Sequence, residues 1–342
     1  MSVDFATLRF ADHNEEEHAV LLPTDFPLKM IDSAGLSMRI ADLGEGPLVL
    51  FLHGWPESWY SWRHQLHALA AAGYRVVAPD MPGYGSSGKF AAVEDYHILN
   101  LARHVVGILD TLQQEQAILV GHDWGAAVAW HTVQLYPERF SRLINMSVPL
   151  RAHAPKAPMS IYRERFGDKF FYQLYFQQPG AAEAEFDADP HAILSRLYCS
   201  PDTFRFSPTI ADQDYHAGGW IGRLGEPKAL PDWLSEQELD YYVQEFTRAG
   251  FTGGLNYYRN IDRNWQLLAP HANAVIEQPT LFIAGDKDNV IGGADREKLF
   301  KLMSPLVPKL DDVVLLPGIG HWVQQEAAEE VNAVMLRFLG ER

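Results

Sequence analysis

The feature that most constrains the fold is an apolar run that breaks into a glycine-bracketed turn and then a helical pattern. Residues 117–127 read AILVGHDWGAA, and VAWHTVQLY follows. A short apolar run bounded by turn residues is typical of a buried strand. Gly121 and Gly125 are expected at a corner so tight that a Cβ would clash. The pattern therefore predicts a buried strand, a sharp turn with Asp123 at its apex, and a helix.

Apolar strands alternate with helical patterns on both sides of this turn. Residues 24–44 read as two short strands joined at Ala34-Gly35. The later strand patterns cover residues 47–52, 74–78, 143–148, 279–284 and 312–316. This alternation predicts a mostly parallel sheet flanked by helices on both faces. Functional side chains collect at the carboxyl ends of such strands, where His53, Asp80 and Asp123 are expected.

The alternation stops between about residues 149 and 263. Aromatic, helix-like segments broken by Gly and Pro replace the strands, and they are too apolar to be disordered. We expect a helical lid inserted into one α/β core. The predicted division is core residues 1–148, lid residues 149–263 and core residues 264–342.

Charge and cysteine content exclude several classes of protein. The 342 residues contain 44 Asp and Glu against 28 Lys and Arg, a formal net charge of −16. Such acidity disfavours binding to nucleic acids and to anionic lipid surfaces. The single cysteine, Cys199, excludes an intrachain disulfide and is compatible with a reducing compartment.

The first residues lack the basic start and apolar run of a signal peptide, and we expect no membrane span. Their acidic patch at residues 13–18 is expected to be solvated surface. These features predict a cytoplasmic protein.

One glycine-rich motif suggests a nucleotide site and is rejected. Residues 83–88, GYGSSG, match G-x-G-x-x-G. The dinucleotide fingerprint opens a helix directly after a strand, whereas Met81-Pro82 intervenes here. We predict a glycine-rich turn without a nucleotide.

Three residues form a candidate triad. Asp123, Asp288 and His321 each follow a predicted strand, in the chain order nucleophile, acid, histidine. The turn around Asp123 matches the nucleophile elbow G-x-S-x-G with aspartate replacing serine. Asp288 alone could be a turn residue, as we expect for Asp286, but the joint agreement of the three positions favours a triad.

An aspartate nucleophile determines the reaction class. A carboxylate is ionised at neutral pH and can attack a saturated carbon to form an ester. His321, oriented by Asp288, would then activate the water that hydrolyses the ester. The backbone N–H groups of Trp55 and Trp124 are the expected oxyanion donors. The leaving group stays open at this point, because a halide needs no proton and an epoxide oxygen needs an acid such as tyrosine.

Beyond its first twenty or so residues, the chain resembles the epoxide hydrolases of the α/β-hydrolase fold over nearly its full length. The matching segments are HGWPESWYSWRHQ (53–65), DMPGYGSS (80–87), GHDWGA (121–126), YQLYFQQPGAAEAE (172–185), LNYYRNIDRNW (255–265), GDKD (285–288) and GHW (320–322).

The resemblance implies roles for further residues. His53 to Pro56 fits the H-G-x-P oxyanion motif. Two lid tyrosines would hold the epoxide oxygen, and the matches favour Tyr172 over Tyr175 and Tyr258 over Tyr257. The predicted reaction is epoxide opening to a vicinal diol, with a small apolar epoxide and water as partners and no cofactor or metal. The residues expected to line the substrate pocket are His53, Pro56, Phe176 and Trp322.

Three alternatives remain at this level. A haloalkane dehalogenase shares the fold and the aspartate, but the two tyrosine segments argue against it, as does Trp55 where those enzymes commonly carry a halide donor. An esterase would have serine at position 123. A non-catalytic ligand receptor would not need the intact triad, oxyanion turn and tyrosine pair.

Overall fold

The computed structural model describes residues 21–340, so the acidic patch at residues 13–18 lies outside the described residues. An eight-stranded sheet runs through the centre in the order β1-β2-β4-β3-β5-β6-β7-β8. The strands are β1 (Leu28–Ser33), β2 (Leu36–Leu43), β3 (Leu48–Leu52), β4 (Arg75–Pro79), β5 (Ala117–His122), β6 (Phe140–Met146), β7 (Thr280–Gly285) and β8 (Leu310–Leu316). β1 pairs with β2 and β2 with β4 in antiparallel fashion, and the remaining pairs are parallel. The predicted mostly parallel sheet is confirmed.

Burial along the strands follows their place in the sheet. Every residue of β3, β5 and β7 is buried, because helices cover both faces of the central parallel strands. β1 lies at one edge, and four of its six residues are exposed. The apolar runs that predicted strands are therefore the inner strands of the sheet.

Helices of the core flank the sheet and connect its strands. The core helices are α1 (Arg63–Ala71), α2 (Ile98–Thr111), α3 (Trp124–Leu135), α11 (Arg296–Met303), α12 (Val323–Glu326) and α13 (Ala328–Gly340). The lid helices are α4 (Pro158–Phe166), α5 (Tyr172–Tyr175), α6 (Ala181–Phe186), α7 (Pro190–Leu197), α8 (Glu236–Ala249), α9 (Thr252–Arg259) and α10 (Ile261–Leu268). The short 3₁₀ turns are Pro23–Asp25, Trp59–Trp62, Val93–Tyr96, Pro137–Arg139, Tyr215–Ala217, Ile221–Arg223 and Ala269–His271. Ala327 separates the last two helices, α12 and α13.

The lid is helical, as expected. Between β6 and β7 the described residues form no strand, only isolated bridges such as Lys169 with Asp214. α10 crosses the predicted boundary at residues 263 and 264, and the sheet resumes only at β7. The division into core and lid segments at those numbers stays a prediction.

Buried ion pairs fasten α8 of the lid to the core. Arg63 Nε lies 2.7 Å from Glu238 Oε1, and the Arg63 side chain is fully buried. The Arg39 guanidinium pairs with both Asp80 of the core and Glu245 of the lid. These contacts fix the lid over the carboxyl ends of the strands.

The glycine-rich segment at residues 83–88 forms turns and no helix, as predicted. The N–H of Gly83 donates to the carbonyl of Gly88 at 2.8 Å. Asp80, directly after β4, accepts from the N–H of Ser86 at 3.2 Å. This acidic side chain at a strand end therefore stabilises a turn.

Candidate active site

Asp123 occupies the sharp turn between β5 and α3. Its backbone has φ 51° and ψ −118°, a region that residues other than glycine rarely adopt. Holding a side chain in such a conformation costs on the order of 1–3 kcal/mol, which the surrounding structure must offset. A Cβ at Gly125 would lie 1.9 Å from the carbonyl oxygen of Leu52, so only glycine fits beside the turn. The predicted elbow is present.

The carboxylate of Asp123 faces two different partners. The N–H of Trp55 donates to Oδ1 at 2.8 Å. Oδ2 lies 3.7 Å from His321 Nε2, which is too long for a direct hydrogen bond. The Trp124 N–H opens α3, and no acceptor contacts it within residues 21–340. Both predicted oxyanion donors thus belong to turns that border Asp123.

Asp288 and His321 form a hydrogen-bonded pair. His321 Nδ1 lies 3.0 Å from Asp288 Oδ2, and the Asp288 side chain is fully buried. Since the carboxylate accepts, Nδ1 carries the proton and Nε2 faces Asp123.

Electrostatics favour the charged form of both partners. Burial alone would raise the pKa of Asp288, but the adjacent His321 brings that pKa below its ordinary value. Burial by itself would lower the pKa of His321. The carboxylates of Asp288 and Asp123 raise that pKa by more than burial lowers it, so it lies well above its ordinary value. His321 is therefore protonated while Asp123 is charged.

Tyr172 and Tyr258 line the same cavity as Asp123, from α5 and α9 of the lid. Their rings meet edge to face with centroids 5.9 Å apart. Burial raises the pKa of both hydroxyls, so both phenols remain protonated at neutral pH.

The Tyr172 phenol oxygen accepts a hydrogen bond from the protein, and the Trp124 side chain lies beside Tyr258. Gln173 Nε2 donates to the Tyr172 hydroxyl at 2.9 Å. The Trp124 side chain interacts with the Tyr258 hydroxyl, and an indole N–H can only donate. No acceptor takes either phenol proton within residues 21–340, which leaves both protons available to a ligand.

The neighbouring tyrosines are engaged elsewhere. The Tyr175 hydroxyl donates to the carbonyl of Ala181 at 3.1 Å and to Glu185 Oε2 at 3.0 Å. The buried Tyr257 hydroxyl donates to the carbonyl of Pro82 at 3.0 Å. Neither residue lines the cavity around Asp123.

The cavity has a volume of about 630 Å³, and its wall includes Trp55, Pro56 and Trp322. His53 and Phe176 do not belong to that wall, which corrects their predicted placement. His53 is buried, and its Nε2 accepts from the N–H of Met81 at 2.9 Å. Phe176 is buried behind the wall, 5.2 Å from the Trp55 ring. Both residues support the site from outside the cavity.

A second cavity of about 260 Å³ lies beside Trp124. His131 and Trp265 are part of its wall, and Asp123 is not. The larger cavity is therefore the candidate active site.

The sequence reasoning missed a buried network beneath the site. Glu57 Oε2 accepts from the Gly54 N–H at 2.7 Å and lies 2.8 Å from His122 Nδ1. His122 Nε2 in turn lies 2.8 Å from the carbonyl oxygen of His321. The oxyanion turn, the elbow and the loop of the catalytic histidine are thus tied together. A carboxyl group and an imidazole inside otherwise apolar motifs were the available signal.

A second missed carboxylate holds the loop around His321. Glu326 accepts from the N–H groups of Gly320 and Trp322, both at 2.9 Å. Burial raises the pKa of Glu326, and those two N–H groups offset the effect only in part. The residues on both sides of His321 are therefore fixed by one side chain.

Within residues 21–340 there is no group of three or more His, Cys, Asp or Glu placed to hold a metal ion. The same stretch includes no helix whose length and apolar character would allow it to cross a membrane.

The chain is similar to known proteins over most of its length. The family described as alpha/beta hydrolase fold matches residues 47–328. Epoxide hydrolase A of Mycobacterium tuberculosis (strain ATCC 25618 / H37Rv) is 44% identical over 91% of this chain and 96% of its own length. Epoxide hydrolase 1 of Siraitia grosvenorii is 38% identical over 90% of this chain and 96% of its own length. The crystal structure of epoxide hydrolase A from Mycobacterium thermoresistibile superposes with a TM-score of 0.85 at 43% identity, covering 92% of this chain and 98% of that one.

Proposed function

The chain belongs to the epoxide hydrolases of the α/β-hydrolase fold, and from this premise we propose that it converts epoxides to vicinal diols through an ester on Asp123. One observation carries the proposal. The Asp123 carboxylate lies between a backbone donor and His321, in a cavity that also exposes two phenols whose protons meet no acceptor among the described residues.

Ring opening is the first step. Asp123 Oδ1 is held by the Trp55 N–H, so Oδ2 is the oxygen that attacks an epoxide carbon. The carbon–oxygen bond of the ring breaks, and the departing oxygen takes a proton from Tyr172 or Tyr258. Both phenols stay protonated because burial raises their pKa, and a proton delivered in the transition state accelerates the step by about 10²–10⁴-fold.

Ester formation then changes the charge of the site. It removes the negative charge of Asp123, one of the two carboxylates that raise the pKa of His321. The pKa of His321 falls, its proton returns to the tyrosinate, and the neutral imidazole becomes a base. Ring opening thus converts His321 into the neutral base that the next step, ester hydrolysis, needs.

Hydrolysis of the ester completes the cycle. His321 takes a proton from water, whose oxygen attacks Cγ of Asp123. The charge develops on Oδ1, which the Trp55 N–H already contacts and which the Trp124 N–H can also serve. Collapse breaks the bond between Cγ and Oδ2, and the departing diol oxygen takes the second proton of the water from the newly formed acid. The solvent oxygen therefore remains in the ionised carboxylate, and His321 is again protonated.

The cavity wall supports a small apolar epoxide as substrate, with water as the second reactant. Trp55, Trp220 and Trp322 give it an aromatic surface close to the phenols. A halide leaves without a proton, whereas an epoxide oxygen needs one, so the two protonated phenols that line the cavity support an epoxide rather than a haloalkane.

Isotope labelling tests the proposal. Styrene oxide is hydrolysed in ¹⁸O water with enzyme in excess, so that each molecule turns over once. We expect ¹⁸O in the peptide that contains Asp123 and unlabelled diol. Repeated turnover on the same preparation is the control, because label must then reach the diol. Label in the diol of the first turnover would exclude the ester, and chloride release from chloroalkanes without diol formation would indicate a dehalogenase.

A further inference from the structure

We infer that Trp220 is a positioning residue for Tyr172, and that Glu185 holds Trp220 in place. The inference rests on the proposed function, since it presumes that Tyr172 donates to the epoxide oxygen. Neither Trp220 nor Glu185 contacts the reacting atoms in this role; they act through the orientation of the phenol.

Trp220 lies flat against Tyr172. The two rings are 12° from parallel with centroids 4.8 Å apart. Among the described residues, every other ring beside Tyr172 meets it edge to face or nearly so, at 63–77°. On the other side, Trp220 stacks on Trp55 at 5.9 Å and 11°. Trp220 therefore links the proposed acid to the residue that supplies the oxyanion donor.

The segment that carries Trp220 needs an external anchor. Between α7 and α8 the chain forms no long helix, only the short turns Tyr215–Ala217 and Ile221–Arg223. Glu185 at the end of α6 supplies the anchor. Its Oε2 accepts from the Trp220 N–H and its Oε1 from the Ile221 N–H, both at 2.8 Å. Hydrogen bonds to an ionised carboxylate are about twice as strong as neutral ones.

Two further residues, Gly219 and Tyr175, contribute to this anchor. A Cβ at position 219 would lie 2.4 Å from Glu185 Oε2, so Gly219 permits the backbone to approach the carboxylate. The Tyr175 hydroxyl donates to the same oxygen at 3.0 Å. This contact gives Tyr175 a role in the lid, as part of the anchor rather than as an acid.

The kinetic consequence follows from geometry. A displacement of about 1 Å in a reacting group can reduce a rate by about 10²-fold. Tyr172 belongs to a helix of only four residues, so stacking against Trp220 is what fixes its ring plane. Loss of that stacking should slow ring opening far more than ester hydrolysis, because Tyr172 only takes its proton back from His321 before that second step.

A double-mutant cycle tests the inference with styrene oxide, using rapid quenching to separate ester formation from ester hydrolysis. We expect Trp220→Ala to slow ester formation by roughly 10–100-fold. In the Tyr172→Phe background the same change should have almost no further effect, because the hydroxyl it positions is already absent. In the Tyr258→Phe background its full effect should remain.

Conservative and control variants complete the design. Trp220→Phe keeps a flat ring and should restore most of the rate of ester formation. Glu185→Gln loses one of the two strong acceptors and should slow the same step by a smaller factor than Trp220→Ala. Trp265→Ala removes a stacked tryptophan that packs on His153, away from both tyrosines, and should leave ester formation unaffected.

The outcomes separate this inference from the proposed function. If Tyr172→Phe does not slow ester formation, the proposed role of Tyr172 is wrong. Suppose instead that Tyr172→Phe slows ester formation, and that Trp220→Ala slows it by the same factor in the Tyr172→Phe and Tyr258→Phe backgrounds. Trp220 then contacts the substrate, and the positioning inference is overturned. Should Trp220→Ala fail to fold, Glu185→Gln in the same cycle gives the same decision.

Discussion

The two halves of the site are built by different means. On the core side, the turns and loops that follow β3, β5, β7 and β8 place the oxyanion donor, Asp123, Asp288 and His321, and hydrogen bonds and ion pairs hold them. On the lid side, short helices and loops place Tyr172, Tyr258 and Trp220, and aromatic packing holds them.

The difference matches the steps that each half performs. Bond formation and ester hydrolysis need fixed angles between a nucleophile, a base and oxyanion donors, which strand ends provide. Protonation of the epoxide oxygen needs phenols above the nucleophile. Rings that pack against one another can place them while the lid shapes the cavity for a particular epoxide. Variants in the two halves should therefore fail at different steps.

Asp123→Asn should give the largest effect. The amide is a poor nucleophile, so ester formation should fall by about 10⁴-fold or more. Intact-protein mass spectrometry after addition of styrene oxide should detect no adduct. An adduct, or full turnover, would remove Asp123 from the mechanism.

Loss of both lid phenols should give the second-largest effect. Tyr172→Phe with Tyr258→Phe removes all acid assistance to the leaving oxygen, which is worth about 10²–10⁴-fold in rate. Single-turnover kinetics should locate the loss in ring opening. Tyr175→Phe is the matched comparison, because its hydroxyl contacts Glu185 and Ala181 outside the cavity, and only a small effect through the Glu185 anchor is expected. A larger effect of Tyr175→Phe than of Tyr172→Phe would reverse the assignment.

His321→Gln should stop the cycle at the opposite step. Ring opening continues, because it uses Asp123 and the lid, but no base activates water and hydrolysis slows by about 10²–10⁴-fold. The ester should accumulate and appear as a mass increase equal to one epoxide. Loss of activity without an adduct would mean that His321 is needed for ring opening.

The pKa of His321 should depend on the charge of Asp123. The carboxylates of Asp288 and Asp123 hold its pKa well above the ordinary value. Asp123→Asn removes one of these charges and should lower the pKa, since the imidazolium loses a partner. NMR titration of His321 in both proteins tests the sign, and an unchanged pKa would contradict the proposed switch.

The smallest effect on chemistry is expected at the junction of the two halves. Glu238→Gln leaves the buried Arg63 without its carboxylate, and breaking a buried pair costs about 3–5 kcal/mol of folding stability. Glu226→Gln is the control, because that carboxylate is mostly exposed and such pairs contribute about 0–1 kcal/mol. Urea denaturation should separate the two variants. Equal stabilities would mean that Arg63 is satisfied without Glu238.

The sequence predicted the core half more completely than the lid half. The elbow at Asp123 and the alternation of strands and helices followed from local patterns, because apolar runs and bracketing glycines permit few conformations. His53 and Phe176 were expected in the pocket wall and lie behind it, since a motif gives proximity to a site without giving side-chain direction. Trp220 drew no attention, because its neighbours in space are distant in the chain.

By itself, the sequence determined the individual strands, the nucleophile turn and the chemistry open to a carboxylate there, because these depend on residues within a few positions of one another. Only the tertiary structure decided which tyrosine hydroxyls are free. Tyr172 and Tyr175 are three residues apart on one short helix, yet Gln173 donates to the first while Glu185 accepts from the second. The physical reason is that a hydroxyl's availability depends on the partners that folding brings to it.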